Sequence, residues 1–389
     1  MQEHSIIFWF FLIFAGAALC ATVALYARQA MLLAYIVVGL LLGPFGAGMV
    51  SDAELIQSIG SIGIMFLLYL LGLNMVPERL MAMLGEALGV TLISSLVFML
   101  IGVAIAAAFG LGWPESLLIG VAMMFSSTII GLKLLPTTAL HHRHTGQVII
   151  SILLIQDLIA IVVLLLLTGY GKGGGLSLDI GIQLFYLPLL VGVAYVIERF
   201  VLVRLIARFD QIHEYIFLLA IGWCLGMAEF AATLGLSHEI GAFIAGVALA
   251  SSPIALFIAD HLRPLRDFFL ILFFFAIGAG FDLSLLDDVW MPASALALAA
   301  LLTKPWLFRR LLMKAHEKTP LARETGVRLG QISEFSLLIG VMGVQTGFIS
   351  AEGNYIIQMA TLLSFAASSF WIVQKLPTPI AVSDQLRRD

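Results

Sequence analysis

Three observations predict an all-α membrane protein with about 13 transmembrane helices. Of the 389 residues, 61% are hydrophobic and only 11% charged, which excludes a water-soluble fold. Apolar stretches of about 20 residues, each enough for one bilayer crossing, recur almost end to end between short polar connections. Runs such as Val148 to Leu167 are apolar on nearly every face, whereas the strands of a membrane barrel would alternate apolar and polar positions.

The spans expected are 6–26, 30–48, 56–74, 84–108, 116–135, 146–168, 182–203, 213–234, 238–258, 265–281, 292–312, 326–348 and 354–375. The first is read as a retained helix, because acidic Glu3 stands where a secretory signal would be basic and no clean cleavage motif follows. Basic residues check the rest of the series. Arg28 follows span one, Arg79 span three, Arg143 span five, and Arg199, Arg204 and Arg208 span seven. Arg263 and Arg266 follow span nine, and Arg309, Arg310, Lys314, Lys318 and Arg323 span eleven. Of the 20 lysines and arginines, only Lys172 falls in an even-to-odd connection and only Lys304 at the middle of a span, while Lys133, Arg199, Arg266, Arg309, Arg310, Arg328 and Lys375 lie at span ends on the odd-to-even side. Asp52, Glu54, Asp282, Asp287, Asp288 and Glu352 populate the opposite side. The positive-inside rule therefore places the N-terminus outside and the C-terminus in the cytoplasm, with residues 376–389 as a short cytoplasmic tail.

A displacement of 208 residues sets Ala34, Tyr35 and Ile36 against Ala242, Phe243 and Ile244. It also sets Phe66, Gly72 and Leu73 against Phe274, Gly280 and Phe281, and Ser126 against Glu334. The shift is an odd number of spans, so the two copies would enter the membrane in opposite directions, with span seven as connector. Inverted repeats of this kind belong to alternating-access transporters.

Ionisable groups inside a membrane are costly and point to function unless a structural pair explains them. Asp157, preceded by Gln156, lies mid-span between apolar runs, and Lys304 lies mid-span before Pro305. Lys304 is expected to be the charge partner of Asp157, whether in transport or in structure. Glu334 ends the polar stretch Gly330, Gln331, Ile332, Ser333, and Ser126, Ser127 and Thr128 interrupt the fifth span at the matching place of the first repeat. Paired interruptions expose carbonyls and helix ends that can coordinate a cation or neutralise a charge. Hydroxyls back-bonded across a kink are the plainer alternative.

Other chemistries find little support. Cys20 and Cys224 both sit in apolar runs and read as core residues, without a disulfide or thiolate site. His213 and His238 precede glutamates, but Phe217 and Ala242 stand where a zinc protease needs its second histidine. No mid-span histidine is within reach to activate Ser126 or Ser127, and Asp157 has no second membrane aspartate beside it, so no intramembrane protease is expected. His141, His142 and His144 cluster in a cytoplasmic connection, as pH sensors or as ordinary loop polarity. Neither a metal cofactor nor an organic one is implied, and no nucleic-acid partner is expected.

The Gln156–Asp157 pair, the segment Gly241 to Ser252 (GAFIAGVALASS), the Phe273 to Gly280 run, Lys304 and the Gln331 to Phe335 stretch resemble the cation:proton antiporter-2 family. Within it they are similar to the membrane domain of Kef-type potassium/proton antiporters, over nearly the whole chain. The resemblance implies an inverted-repeat sodium/proton-antiporter fold with two broken crossing helices over residues 1–375. It implies dimerisation helices within 6–74 and 213–281, core helices within 84–168 and 292–375, a connector at 182–203, and an inner-membrane homodimer. By position, Asp157 takes the place of the carboxylate that binds proton and cation, Gln156 that of an asparagine common among relatives, and Lys304 that of the paired lysine. Ser126, Ser127, Thr128 and Glu334 complete the expected site. The family's glycine pair in the twelfth span reads Ile332 and Ser333, and the loop Ala259 to Asp267 is mixed in charge rather than acidic. Kef proteins carry a cytosolic nucleotide-binding regulatory domain after the last helix, whereas this sequence stops at Asp389, so regulation by glutathione or nucleotide finds no support in it.

The expected activity is exchange of potassium or sodium for protons by competition at Asp157. A buried carboxylate holds a proton until a cation displaces it, and only the neutralised site crosses between inward- and outward-open states. A cation channel and a sodium-coupled organic-anion symporter are the alternatives. The first needs no inverted repeat, and the second would want a larger polar lining.

Overall fold

The computed structural model describes residues 6–27, 29–50, 53–74, 77–133, 144–171, 178–209, 212–250, 252 and 255–378. His141, His142 and the tail beyond Thr378 lie outside them. Every element is helical: α1 Ile6–Tyr26, α2 Met31–Leu42, α3 Ala53–Asn74, α4 Pro77–Ala108, α5 Trp113–Met124, α6 Thr128–Lys133, α7 His144–Gly171 and α8 Leu178–Ile197. A π turn at Glu198–Leu202 joins α8 to α9 Val203–Phe209, followed by α10 His213–Thr233, α11 His238–Ala250, α12 Ala255–His261 and α13 Arg263–Ala279. After a 3-10 turn at Leu283–Leu285 come α14 Leu286–Lys314, α15 Thr319–Arg328, α16 Glu334–Gln345 and α17 Ala351–Lys375.

Each segment expected to cross the membrane carries helix, but among the described residues six helices are by length and composition individually able to span, alongside shorter apolar ones such as Trp113–Met124 and Glu334–Gln345. The shortness has a cause. The fifth expected span is α5 plus α6, interrupted at Phe125–Ser127, and the twelfth is α15 plus α16, interrupted at Leu329–Ser333. The ninth divides into α11 and α12.

The chain forms two compact units. One is drawn from residues 1–18, 35–81 and 168–281. Its centre is α3, packed against α11 and α13. Glycines let these backbones approach closely: a Cβ on Gly246 would collide with the Tyr69 carbonyl oxygen, and one on Gly72 would meet backbone of α11. Phe66 stacks on Phe269 with centroids 4.5 Å apart, and the Trp223 indole donates to the Ala245 carbonyl at 2.9 Å.

The other unit comprises residues 19–34, 82–167 and 282–389. It contains α5, α6, α7 and α14 to α17, and its apolar core gathers Phe98, Ile149, Ile152, Leu153, Phe308 and Leu329. At one end of this unit the Glu115 carboxylate accepts from the Gly112 and Ser350 N–H groups, both at 3.3 Å, tying the start of α5 to the start of α17. Near the other end, fully buried Arg328 pairs with Glu324 at 2.9 Å and donates to the Pro377 carbonyl at 2.8 Å, joining α15 to the exit of α17.

Candidate ion-binding site

A helix that stops inside a membrane leaves carbonyls and N–H groups that lipid cannot satisfy. Both interruptions answer this demand with side chains, all from the unit that contains Asp157. At the first, the backbone turns extended at Phe125 (φ −90°, ψ 145°). The Gln156 amide then acts as a substitute peptide: Nε2 donates to the Met124 carbonyl at 3.1 Å and Oε1 accepts from Ser126 N–H at 2.9 Å. Ser127 Oγ accepts from Ile130 N–H at 3.1 Å, starting α6.

Gln331 does the equivalent work at the second interruption. Its Nε2 donates to the Arg328 carbonyl at 2.9 Å and reaches the Ser127 carbonyl at 3.4 Å, while its Oε1 accepts from Ser368 Oγ at 2.9 Å. Ser364 Oγ accepts from Ile332 N–H at 3.1 Å, and Ser333 Oγ from Phe335 N–H at 3.1 Å as cap of α16. The two interruptions meet directly where Ser126 Oγ donates to the Leu329 carbonyl at 2.9 Å. Ser336 Oγ adds a bond from α16 to the Ala122 carbonyl of α5 at 2.6 Å.

Lys304 binds both interruptions at once. Its ammonium donates to the Phe125 carbonyl at 2.6 Å and to the Gln331 carbonyl at 3.1 Å, and it lies 5.2 Å from the centroid of the Phe98 ring. These carbonyls follow the C-terminal ends of α5 and α15, where the helix dipoles are negative, so one buried cation serves two helix ends. No ion pair joins Lys304 to Asp157 in this structure. The charge expected to face the carboxylate is directed to backbone oxygens instead.

Asp157 follows Gln156 on α7 and is 3% exposed. The groups that act on it are Glu334, at the start of α16, and Thr128, at the start of α6. The Thr128 hydroxyl is buried and faces the Asp157 carboxylate, without a close hydrogen bond to any other group. Asp157 thus lies near the N-terminal, positive ends of the second half-helices, while Lys304 holds the negative ends of the first. The arrangement leaves a buried carboxylate and an uncommitted hydroxyl oxygen where a small cation or a proton could be held.

The residues expected for the site therefore divide. Asp157, Thr128 and Glu334 come together. Ser126, Ser127, Gln156 and Lys304 are taken up in holding the interruptions. Gln331, Ser364 and Ser368 had not been expected among the site residues, although Gln331 lay in the polar stretch that drew attention to Glu334. The available signal was that polar stretch and the serines spaced along α17.

Comparison with known proteins agrees with this architecture. Residues 12–375 match the transmembrane domain of the sodium/hydrogen exchanger family. The iron transporter MagA of Paramagnetospirillum magneticum is 28% identical, over 92% of this chain and 82% of its own length. The putative K(+) efflux antiporter KefB of Alkalimonas amylolytica is 30% identical over 87% of this chain and 52% of its own. The glutathione-regulated potassium-efflux system protein KefC of Cronobacter sakazakii is 29% identical over 96% of this chain and 61% of its own. The chain thus spans between half and two-thirds of the length of these Kef-type relatives. Two solved structures of the sodium proton antiporter MjNhaP1 from Methanocaldococcus jannaschii share the fold. Their TM-scores are 0.64 and 0.69 at 19% and 18% identity, covering 95% and 96% of this chain, and all and 96% of the matched chains. With the family match running from residue 12 to residue 375, this multi-pass membrane chain belongs to the sodium/hydrogen exchanger family, in the company of the Kef-type antiporters.

Proposed function

We propose that the chain is a secondary active antiporter that exchanges a monovalent cation, potassium or sodium, for protons by alternating access. The observation that carries this reading is the buried Asp157 carboxylate beside the uncommitted Thr128 hydroxyl, at the meeting of two interrupted helices. Proton and cation compete for the carboxylate, and either one neutralises it. Desolvating an uncompensated charge during the crossing costs several kcal/mol or more, so the empty ionised site does not cross. Obligatory exchange follows without a further coupling device.

Within this reading Asp157 binds, Thr128 supplies a neutral oxygen, and Glu334 adds negative potential. Gln156, Ser126 and Ser127 hold the half-helices so that the site keeps its shape. Lys304 balances the carboxylate's charge through the shared framework of the interruptions rather than by direct contact. The core helices within 84–168 and 292–375 move against dimerisation helices within 6–74 and 213–281, with 182–203 as connector, in an inner-membrane homodimer whose C-terminus is cytoplasmic. The Kef-type and MjNhaP1 relatives are named as potassium or sodium antiporters, which supports a monovalent cation, whereas MagA is named as an iron transporter.

The test is transport by purified protein in proteoliposomes with an imposed pH gradient. Addition of potassium or sodium is expected to release protons from the lumen. Cation flux without counterflow of protons would make the protein a channel, and sodium uptake that needs an organic anion would make it a symporter.

A further inference from the structure

Residues 376–378, just past the last helix, pack into the unit that holds the ion site. α17 stops at Lys375 because Leu376 precedes Pro377, and a residue before proline is driven out of helical conformation. Leu376 is extended (φ −121°, ψ 155°), its side chain and that of Pro377 are half-buried, and Thr378 is fully buried. Pro377 has no N–H, and Thr378 is followed in the sequence by a second proline. The segment is therefore stiff and poor in donors, and its carbonyls depend on donors from other elements.

Arg328 is such a donor. Its guanidinium is fully buried in the last turn of α15, donating from Nη2 to the Pro377 carbonyl at 2.8 Å and from Nε to Glu324 Oε1 at 2.9 Å. Gly326 lies about 200° around the helix from Arg328. There it meets α14 so closely that a Cβ would sit 2.6 Å from the Pro305 carbonyl oxygen. The end of α15 is thus gripped between α14 on one side and residues 376–378 on the other.

That end carries the second interruption. The Arg328 carbonyl accepts from Gln331 Nε2 and the Leu329 carbonyl from Ser126 Oγ, both at 2.9 Å. Gln331 also reaches the Ser127 carbonyl, next to Thr128. Arg328 therefore faces two ways, with its side chain on the segment past α17 and its backbone on the interruptions beside Asp157.

We propose that residues 376–378 are a strap belonging to the transport machinery: by holding Arg328 it fixes the end of α15 and so sets the cation affinity of the Asp157 site. Arg328 is the positioning residue of this strap. Its effect on affinity rests on the antiport reading, whereas its grip on the interruption does not.

The experiment pairs deuterium uptake by the full chain in detergent, followed by mass spectrometry, with transport in proteoliposomes. Two variants release the strap. Arg328→Lys keeps the charge but loses the fork that reaches two partners, and insertion of Gly-Gly between Lys375 and Leu376 carries Pro377 away while every membrane residue stays in place. Each is expected to speed uptake about tenfold both at 376–378 and at 329–333. Each should also raise the KM for the cation about fivefold, with the maximal rate within about twofold. Together they should raise KM about fivefold rather than about 25-fold, because both break one linkage. A strap that served stability alone would lower the amount of active protein, hence the maximal rate, and leave KM where it was. Faster uptake confined to 376–378, an unchanged KM, or additive effects in the combined variant would each overturn the proposal. If Arg328→Lys fails to fold, the insertion decides on the same two readouts. A wild type without cation-dependent proton movement would defeat the antiport reading, and uptake at 329–333 would still decide whether the strap grips the interruption.

Discussion

Where α3 crosses α11, Gly72 and Gly246 bring backbone against backbone, and the nearest large groups are aromatic. Where α5 and α15 are interrupted, backbone meets the Gln156 and Gln331 amides, the serine hydroxyls and the Lys304 ammonium. Both arrangements solve the same problem, close packing of helices without water, by opposite means. Glycine contacts need no polar group and offer no place for an ion. The interruptions need many, and once their carbonyls are satisfied a carboxylate and a hydroxyl are left over. On the proposed reading, chemistry belongs to the unit that holds both polar-filled interruptions, and the other unit serves as a scaffold.

The largest expected effect tests that assignment. Asp157→Asn keeps the side chain's shape and removes the group that exchanges a proton for a cation. Cation-dependent proton movement should be abolished, with melting temperature unchanged or raised, since an amide is less costly to bury than a carboxylate. Normal exchange in this variant would remove the site from Asp157 and make Glu334 the next carboxylate to examine.

Lys304→Ala separates a structural cation from one that only tunes the carboxylate. It deletes the bonds to the Phe125 and Gln331 carbonyls together. Charge-assisted bonds of this kind are worth about 1.5–3 kcal/mol each, so a loss of roughly 3–6 kcal/mol is expected in denaturation of the detergent-solubilised protein. An unchanged stability with altered transport would show that Lys304 acts on Asp157 alone.

Much of this was legible before any coordinates. Asp157, Lys304 and Glu334 stand out because each interrupts an apolar run, and Ser126 to Thr128 mark the first interruption almost to the residue. Glu334 proved to be the first residue of the second half-helix, just after its interruption. The roles of Gln156 and Gln331 were not legible. A glutamine bonding to backbone 30 or 32 residues away, or a serine reaching a carbonyl 203 residues away, leaves no local pattern. The same holds for Lys304, whose charge predicted a carboxylate partner while folding gave it carbonyls. The π turn was equally hidden, because Glu198–Leu202 has the composition of ordinary helix.

On the scaffold side, Gly246→Ala adds one methyl group at a backbone contact with Tyr69. Overpacking of this kind costs about 1–3 kcal/mol, and thermal unfolding should show it while the apparent affinity for the cation stays unchanged. A change in affinity without a change in stability would mean that the glycine crossing is part of the ion site, and the contrast between the units would fail.

The smallest expected effect is also the most selective. Thr128 and Tyr69 each carry a buried hydroxyl, the first facing the Asp157 carboxylate at the interruption and the second without a close partner in the glycine-packed unit. Thr128→Val and Tyr69→Phe take away those oxygens with little change of shape, so both should leave stability within about 1.5 kcal/mol. Their transport should differ. If the Thr128 oxygen helps to hold the cation next to Asp157, its loss should raise the KM for the cation about five- to tenfold, the equivalent of roughly one hydrogen bond, with the maximal rate little altered. Tyr69→Phe should leave KM where it was. Equal KM values in wild type and Thr128→Val would remove Thr128 from the site and leave Asp157 to bind a cation that keeps more of its own water. A raised KM in Tyr69→Phe would show that a hydroxyl in the scaffold unit senses the ion, which the division of labour between the two units forbids.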